Sequence, residues 1–196
     1  MLPASILRVM QRAELVEQTA PLQKRATSPR TRILYIHSGD EPIRGSERVL
    51  LDLIRNVDSE RFEPIVWCDS PALADEIRSM GITAYQNRFC ILLGRMAPRF
   101  DIKHYSWLIR HGLEIVERDD IRMIHVNASG TTQWTIPLAR TAKLPMLVHL
   151  HVQDAWFRRY KLGLHQVPFV VGVSKAVVRP LIDDGMPEDR TRVIHN

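Results

Sequence analysis

Residues 32–57 read RILYIHSGDEPIRGSERVLLDLIRNV, and this stretch decides the fold. The apolar run at residues 33–36 is typical of a strand that is buried on both faces of a parallel sheet. Gly39 and Gly45 bracket the following loop, where a missing Cβ lets backbone approach a ligand or adopt a positive φ. The apolar residues after the loop recur with the spacing of one helical face: Val49, Leu50, Leu53, Ile54 and Val57. The stretch therefore predicts a helix N-terminus whose free N–H groups point at a ligand above the sheet.

The rest of the chain alternates short apolar runs with helical patterns. Further strands are predicted at residues 62–68, 82–85, 123–126, 146–150 and 169–173, and another begins at residue 192. Ser70 and Asp101 are predicted to cap two of the intervening helices. Strands that alternate with helices pair in parallel through right-handed crossovers. The pattern predicts a Rossmann-like three-layer α/β/α sandwich with a mostly parallel sheet.

Charge divides the chain into two parts. Residues 1–30 contain five basic and two acidic side chains, and so carry three of the net five positive charges. We interpret them as a flexible basic N-terminal extension, the alternative being an amphipathic contact with a membrane or a partner. Residues 31–196 form the predicted folded domain, which is nearly balanced in charge. Because this domain lacks a basic array interleaved with aromatic residues, we expect no nucleic-acid partner.

Composition also bounds the compartment. The sequence has no apolar run near the length of about 18 residues that spans a bilayer, and residues 1–30 have no signal-peptide pattern. Cys68 and Cys90 lack the spacing of a metal site, and two free thiols suit a reducing cytoplasm. We therefore expect a cytoplasmic protein whose membrane contact, if it has one, is peripheral.

Polar side chains follow several of the predicted strands at their carboxyl ends. They are His37 and Ser38, Asn127 and Ser129, His149 and His151, and Ser174 and Lys175. In parallel α/β sheets the ligand sits beyond these ends, so one rim of the sheet is the predicted site. The first loop lacks the G-x-G-x-x-G spacing, and no G-x-S-x-G elbow occurs, which disfavours dinucleotide-dependent and Ser-His-Asp chemistry.

Three blocks of sequence then point to a known family. They are ILYIHSGDEPIRGSERVLLDLIRNVDSERFEPIVWC at residues 33–68, LPMLVHLHVQD at 144–154 and VVGVSKAVVRPLIDDGMPEDRTRVIHN at 170–196. In order and separation they resemble the N-terminal domain of retaining glycosyltransferases of family 4. That resemblance implies a GT-B fold, in which two Rossmann-like domains face each other across a cleft. Only the acceptor-side half is expected in this chain, since the donor-binding C-terminal domain with its paired glutamates is missing from it.

The resemblance implies transfer of a sugar from a nucleotide-sugar donor to a glycan or lipid acceptor with retained stereochemistry, as in polysaccharide biosynthesis. We expect this isolated half to be inactive. The alternatives are a non-catalytic glycan-, lipid- or partner-binding module of the same fold, and a GT-B epimerase, which would also need the second half.

The resemblance also implies roles for individual residues. His151 matches the family's histidine that positions the transferred sugar, and is the predicted catalytic residue. Gly45 and Glu47 match the family's glycine-rich loop near the acceptor and the donor phosphates. Arg44 departs from that loop, since the family commonly has the first of two glycines there. The simpler interpretation is that Gly45 only makes the turn and that Glu47 only complements the positive end of the helix.

Three further residues complete the predicted binding set. His37, Asn127 and Ser174 stand at strand ends, although Asn127 could serve only its turn and Ser174 only its helix cap. His149 and His151 project to the same side of a strand, so a metal site with Asp154 is an alternative. The resemblance argues against it, because GT-B enzymes use helix dipoles and basic side chains at the leaving diphosphate. We therefore predict neither a metal nor a cofactor.

Overall fold

The computed structural model describes residues 30–39, 43–94 and 98–196, so residues 1–29 of the predicted extension lie outside it. Thr31–Asn196 forms one compact unit. Its strands are β1 (Thr31–His37), β2 (Phe62–Cys68), β3 (Thr83–Gln86), β4 (Ile121–Asn127), β5 (Met146–Leu150), β6 (Phe169–Gly172) and β7 (Thr191–Val193). Its helices are α1 (Gly45–Asn56), α2 (Pro71–Ser79), α3 (Ile102–Arg118), α4 (Thr132–Ala142), α5 (Trp156–Lys161) and α6 (Lys175–Asp183).

The seven strands form one parallel sheet in the order β3-β2-β1-β4-β5-β6-β7. This confirms the predicted Rossmann-like α/β fold. The chain runs outward from β1 to β3, returns to β4 beside β1, and then runs outward the other way. The strand order therefore reverses between β1 and β4, which is where such sheets bind ligands.

Two apolar cores lie on opposite faces of the sheet, because side chains alternate along each strand. On β2, Val66 and Cys68 belong to the core that α1 and α2 cover. Their neighbours Ile65 and Trp67 belong to the larger core, which includes residues of α3, α4 and α6. The two cores make the three predicted layers.

The predicted caps at Ser70 and Asp101 are confirmed, whereas the predicted apolar stripe of α1 differs in detail. The Ser70 hydroxyl accepts a hydrogen bond from Leu73 N, and the Asp101 carboxylate accepts one from His104 N. On α1, Leu51 is buried although the predicted stripe omits it, and Val57 belongs to the extended backbone after the helix. The stripe was drawn through Val57, but the helix ends one residue earlier, at Asn56. Among the residues that the structure describes, no helix combines the length and apolar character needed to cross a membrane.

Candidate functional site

His37, the last residue of β1, is fully buried between two acceptors. Its Nδ1 lies 2.5 Å from the Asn127 carbonyl oxygen, and its Nε2 lies 3.1 Å from Glu47 Oε1. A carbonyl oxygen can only accept, so Nδ1 carries a proton. Its Nε2 faces the Glu47 carboxylate, so the His37 ring links the end of β4 to the first turn of α1.

Glu47, in the first turn of α1, is the anionic partner and is 2% exposed. Its other oxygen, Oε2, accepts from Arg44 N at 3.0 Å and from Ser46 Oγ at 3.2 Å. Burial raises the pKa of Glu47, but the His37 hydrogen bond and charge, together with backbone N–H donors, outweigh it and lower the pKa to about 2. Glu47 is thus ionised, and it ties the end of β1 to the start of α1.

Asn127, at the end of β4, joins this pair to His151. Its Oδ1 accepts from His151 Nε2 at 2.9 Å, and its Nδ2 donates to the Ser46 carbonyl at 3.0 Å. The 3.1 Å approach of Nδ2 to His37 Nδ1 is only a contact, since both nitrogens bear protons. His37, Glu47, Asn127 and His151 thus form one hydrogen-bonded network across β1, β4 and β5.

His151 is neutral in this network. Burial lowers its pKa to about 4, and the neighbouring His149 and His37 add to the effect against the opposing charge of Glu47. Because Nε2–H donates to Asn127, the free lone pair of the ring is on Nδ1. That nitrogen is buried and has no hydrogen-bond partner in the part of the chain that the structure describes.

Two further histidines, His125 and His149, extend the same face of the sheet. Their rings lie 6.0 Å apart, and the His149 ring lies 4.4 Å from that of His151. Burial lowers the pKa of both, that of His125 to about 3, so both are neutral at physiological pH. The described residues contain no cluster of three metal-ligating side chains, so the structure gives no support to a site at His149, His151 and Asp154.

Of the two glycines that bracket the first loop, Gly39 is the one at which a side chain would collide with its neighbours. A Cβ on Gly39 would lie 2.1 Å from Glu47 Oε1 and 2.7 Å from His37 Nε2, whereas one on Gly45 would meet no atom within 4 Å. Gly45 is simply the first residue of α1 and does not have a positive φ. Arg44 adopts extended backbone with φ −118°, so its departure from the family's glycine causes no strain.

Ser174 lies apart from this network. It occupies the N-cap position of α6, but its hydroxyl makes no capping hydrogen bond with the residues that the structure describes. Ser174 follows β6, and β5 lies between β6 and β4 in the sheet. Its predicted role in binding stays a prediction, like those of the other site residues.

A cleft of about 1070 Å³ opens at the carboxyl ends of the strands. Its floor includes Ser38, Gly39, Asp69, Gly130 and Thr131, which follow β1, β2 and β4. Its walls are the segment after β3 and the region of α5, and they contribute residues such as Arg88, Phe89, Leu93, Phe157, Arg158 and Lys161. None of the four residues of the network lines this cleft. The network lies behind the floor, and Ser38 and Gly39, which directly follow His37, separate it from the cleft.

Asp69 is the functional candidate that the sequence analysis missed. Its carboxylate accepts from Ser38 Oγ at 2.6 Å and from Gly39 N at 3.1 Å, which fixes it at the cleft floor. Burial raises the pKa of Asp69, and these two hydrogen bonds oppose the rise. Asp69 directly follows β2, so the strand-end rule that selected His37 and Asn127 could have found it.

Gln133 on α4 holds the two walls of the cleft together. Its Oε1 accepts from Leu92 N at 2.7 Å, and its Nε2 donates to the Lys161 carbonyl at 3.1 Å. Phe89 packs edge-on against the buried rings of Trp67 and Trp134. The segment after β3 is thus anchored to the core.

Ala128 stores strain at the site. It follows β4 with φ 115° and ψ 156°, a region that essentially only glycine occupies. We expect Ala128→Gly to raise the free energy of unfolding by about 1 kcal/mol, because released strain exceeds the entropy that glycine loses on folding. Urea unfolding measures this. The control, Ala176→Gly at an exposed position of α6, should lower it by about 0.5–1 kcal/mol, and a loss of stability in Ala128→Gly would contradict the assignment of strain.

Residues 43–196 match the profile of Glycosyltransferase Family 4. HepE from Anabaena, solved in complex with UDP and glucose, has a TM-score of 0.63 at 18% identity, covering 85% of this chain and 44% of that one. A glycosyltransferase from Rickettsia africae has a TM-score of 0.65 at 18% identity, covering 86% and 44%. The lipopolysaccharide outer core galactosyltransferase WaaB has a TM-score of 0.66 at 10% identity, covering 85% and 46%.

These identities show the fold alone, which is that of one half of a GT-B protein. The chain spans less than half the length of each of these three structures. No curated protein matches the sequence significantly.

Proposed function

Because the chain belongs to Glycosyltransferase Family 4, we propose that it is the acceptor-side domain of a retaining glycosyltransferase. The observation that carries this proposal is the network at the switch point between β1 and β4. There His37, Glu47, Asn127 and His151 hold the strand ends in one arrangement behind an open cleft. This network fixes the strand ends that carry the cleft floor, so Ser38, Gly39 and Asp69 are already in place when a ligand binds.

The proposal places the acceptor in the cleft and the donor opposite it, on a second domain. Asp69 accepts a hydrogen bond from an acceptor hydroxyl, and Arg88 and Lys161 face any anionic group of the acceptor. The donor is a nucleotide-sugar, in line with the UDP and glucose of the HepE complex. His151 positions the transferred sugar, and the first turn of α1 directs backbone N–H groups towards the donor phosphates.

A retaining transfer also accounts for the charges of the site. The bond from the anomeric carbon to the nucleotide oxygen breaks, the acceptor oxygen bonds to that carbon on the same face, and the leaving diphosphate takes the acceptor proton. None of these steps needs a protonated histidine as an acid, so a His151 whose pKa is lowered to about 4 is compatible with them. We propose a cytoplasmic setting with peripheral membrane contact, where a glycan or lipid acceptor is available.

A non-catalytic glycan-, lipid- or partner-binding module is the second candidate. It is favoured by the cleft, whose polar side chains Asp69, Arg88 and Lys161 need no donor in order to bind a glycan. The two candidates differ in whether the chain turns over a donor once a donor-binding domain is supplied.

The test separates binding from transfer. We expect the chain alone to release no nucleotide from UDP- or GDP-sugars, and to bind members of an array of oligosaccharides and sugar phosphates. Asp69→Asn should weaken that binding about tenfold, since it removes a charged acceptor, while Asp75→Asn on the exposed face of α2 should not change it. Turnover of a donor by the chain alone would contradict the proposal that transfer needs a second domain. The absence of any bound glycan would contradict the proposal that the cleft binds an acceptor.

A further inference from the structure

A second cavity, of about 590 Å³, lies at the edge of the sheet between α6 and β7. None of the residues that line it lines the cleft at the strand ends. Its apolar lining is Val178 and Ile182 of α6 and Val193 of β7, and the last two are only half-buried. The cavity is therefore separate from the proposed acceptor site, and we call it the edge groove.

The outer edge of β7 is open, because within the described chain this strand pairs with β6 alone. Ile194 N donates to the Gly172 carbonyl at 3.0 Å, so this N–H points towards β6. Backbone groups alternate in direction along an extended strand, so the N–H and C=O of Val193 point away from β6. An edge of this kind can accept a further strand.

Side chains alternate between the two faces of the sheet at this edge. Val193 packs against the larger core, on the face that α6 covers. Arg192 and Ile194 therefore start from the other face. The Arg192 side chain returns to the edge, where its Nη1 donates to the Thr191 carbonyl at 2.9 Å. A strand added here would place every second side chain in the edge groove and the others beside Arg192.

The charge around the edge groove is positive. Lys175 and Arg192 line it, and neither forms an ion pair with the residues that the structure describes. Arg179 also lines it and is paired with Asp183 at 2.8 Å. Of the described residues that line the groove, Glu188 alone carries a carboxylate. Negative charge on an occupant would therefore be attracted to this groove.

We propose that the edge groove binds an extended acidic segment of a partner protein, which adds to β7 as a further strand. Apolar side chains at alternate positions of the segment enter the groove, and the acidic side chains between them pair with Arg192 and Lys175. A second copy of this chain fits less well, because joining two β7 edges would bring two positive grooves together. The proposal goes beyond the proposed function, since it involves neither the cleft nor a sugar.

Fluorescence anisotropy with the full chain tests the proposal. The probe is a short fluorescein-labelled peptide that alternates valine and glutamate. We expect it to bind, and a peptide with lysine in place of glutamate to bind at least about tenfold more weakly. The probe with N-methylated amides cannot pair with β7 and should also bind at least about tenfold more weakly. No binding of the probe, or equal binding of its N-methylated form, would overturn the proposal.

Val193→Pro tests strand addition on the side of the protein. Proline removes the N–H that faces the open edge, a position where edge strands tolerate it, and should weaken binding at least about tenfold. Ala84→Pro is the control on β3, the opposite edge strand. Asn87 N donates to the Cys68 carbonyl, so by the same alternation the Ala84 N–H points away from β2. Circular dichroism checks that both variants are folded, and unchanged binding by folded Val193→Pro would contradict the pairing with β7.

Charge reversal tests the groove without changing the backbone. Lys175→Glu with Arg192→Glu should weaken binding of the glutamate peptide at least about tenfold and should strengthen binding of the lysine peptide. Lys103→Glu with Arg110→Glu changes the net charge equally at exposed positions of α3 and should affect both peptides much less. Equal effects in the two double variants would show that only net charge attracts the peptide and would refute the groove.

Discussion

Replacement of Asn127 by leucine is expected to lower the free energy of unfolding by about 4 kcal/mol, although the two side chains have similar volumes. Asn127 is fully buried, and its amide serves two groups on different elements. Leucine would leave His151 Nε2–H without its acceptor and the Ser46 carbonyl without its donor. Each buried polar group that loses its partner costs about 1–3 kcal/mol.

Urea unfolding at neutral pH measures this loss, and Asn87→Leu is the matched control. Asn87 is half-buried and accepts a single hydrogen bond, from Trp67 Nε1 at 2.9 Å. We expect the control to cost about 1–2 kcal/mol, since one group loses its partner and water has partial access. If Asn127→Leu cost no more than Asn87→Leu, the network would not couple the three strands as described.

The sheet could be predicted from the sequence because its signal is local and repeated. Apolar runs such as residues 33–36 and 146–150 are short, bounded by polar residues and separated by helical patterns. Parallel pairing then follows from the need for crossovers. The boundary of α1 was less predictable: Val57 continues the apolar spacing, and only the extended backbone at this residue shows that the helix has ended.

The nearness of these side chains could be predicted, whereas their arrangement could not, and their roles stay predictions. The strand-end rule predicts that His37, Asn127 and His151 lie at one edge of the sheet, and the structure joins them there by hydrogen bonds. It could not tell which of these side chains lie behind the cleft and which line it. That depends on Gly39 and on the segment after β3, whose anchors, Gln133 and the aromatic core, are distant in sequence.

The charge of Glu47 is expected to contribute about 3 kcal/mol to stability at pH 7. The folded-state pKa is about 2, compared with an ordinary value of 4.5. A carboxyl group whose pKa is depressed by folding stabilises the protein above its unfolded-state pKa, and this stability is lost as the pH falls through the folded-state pKa. Glu47→Gln should therefore lose about 3 kcal/mol at pH 7, and less than half of that at pH 3.

The histidines of the same face also make the protein less stable at low pH, although they gain a positive charge there, whereas Glu47 loses a negative one. Burial lowers the pKa values of His125, His149 and His151 below the ordinary 6.5. Folding therefore disfavours their protonated forms, and both the parent protein and the variant lose stability as the pH falls below 6.5. The difference between parent and Glu47→Gln cancels the loss from His125 and His149, and it contains the Glu47 carboxylate together with its effect on His151.

Glu76→Gln makes the same substitution in a surface ion pair and is the control for Glu47→Gln. Glu76 Oε1 lies 2.8 Å from Arg55 Nη2, closer than Glu47 lies to His37, but its side chain is 41% exposed. Exposed pairs contribute about 0–1 kcal/mol, so Glu76→Gln should cost less than about 1 kcal/mol. Glu47→Gln instead removes a buried charge that His37, the Arg44 backbone and Ser46 contact. Equal losses for the two variants, or a loss for Glu47→Gln that stays constant between pH 7 and pH 3, would show that Glu47 is not ionised in the folded protein.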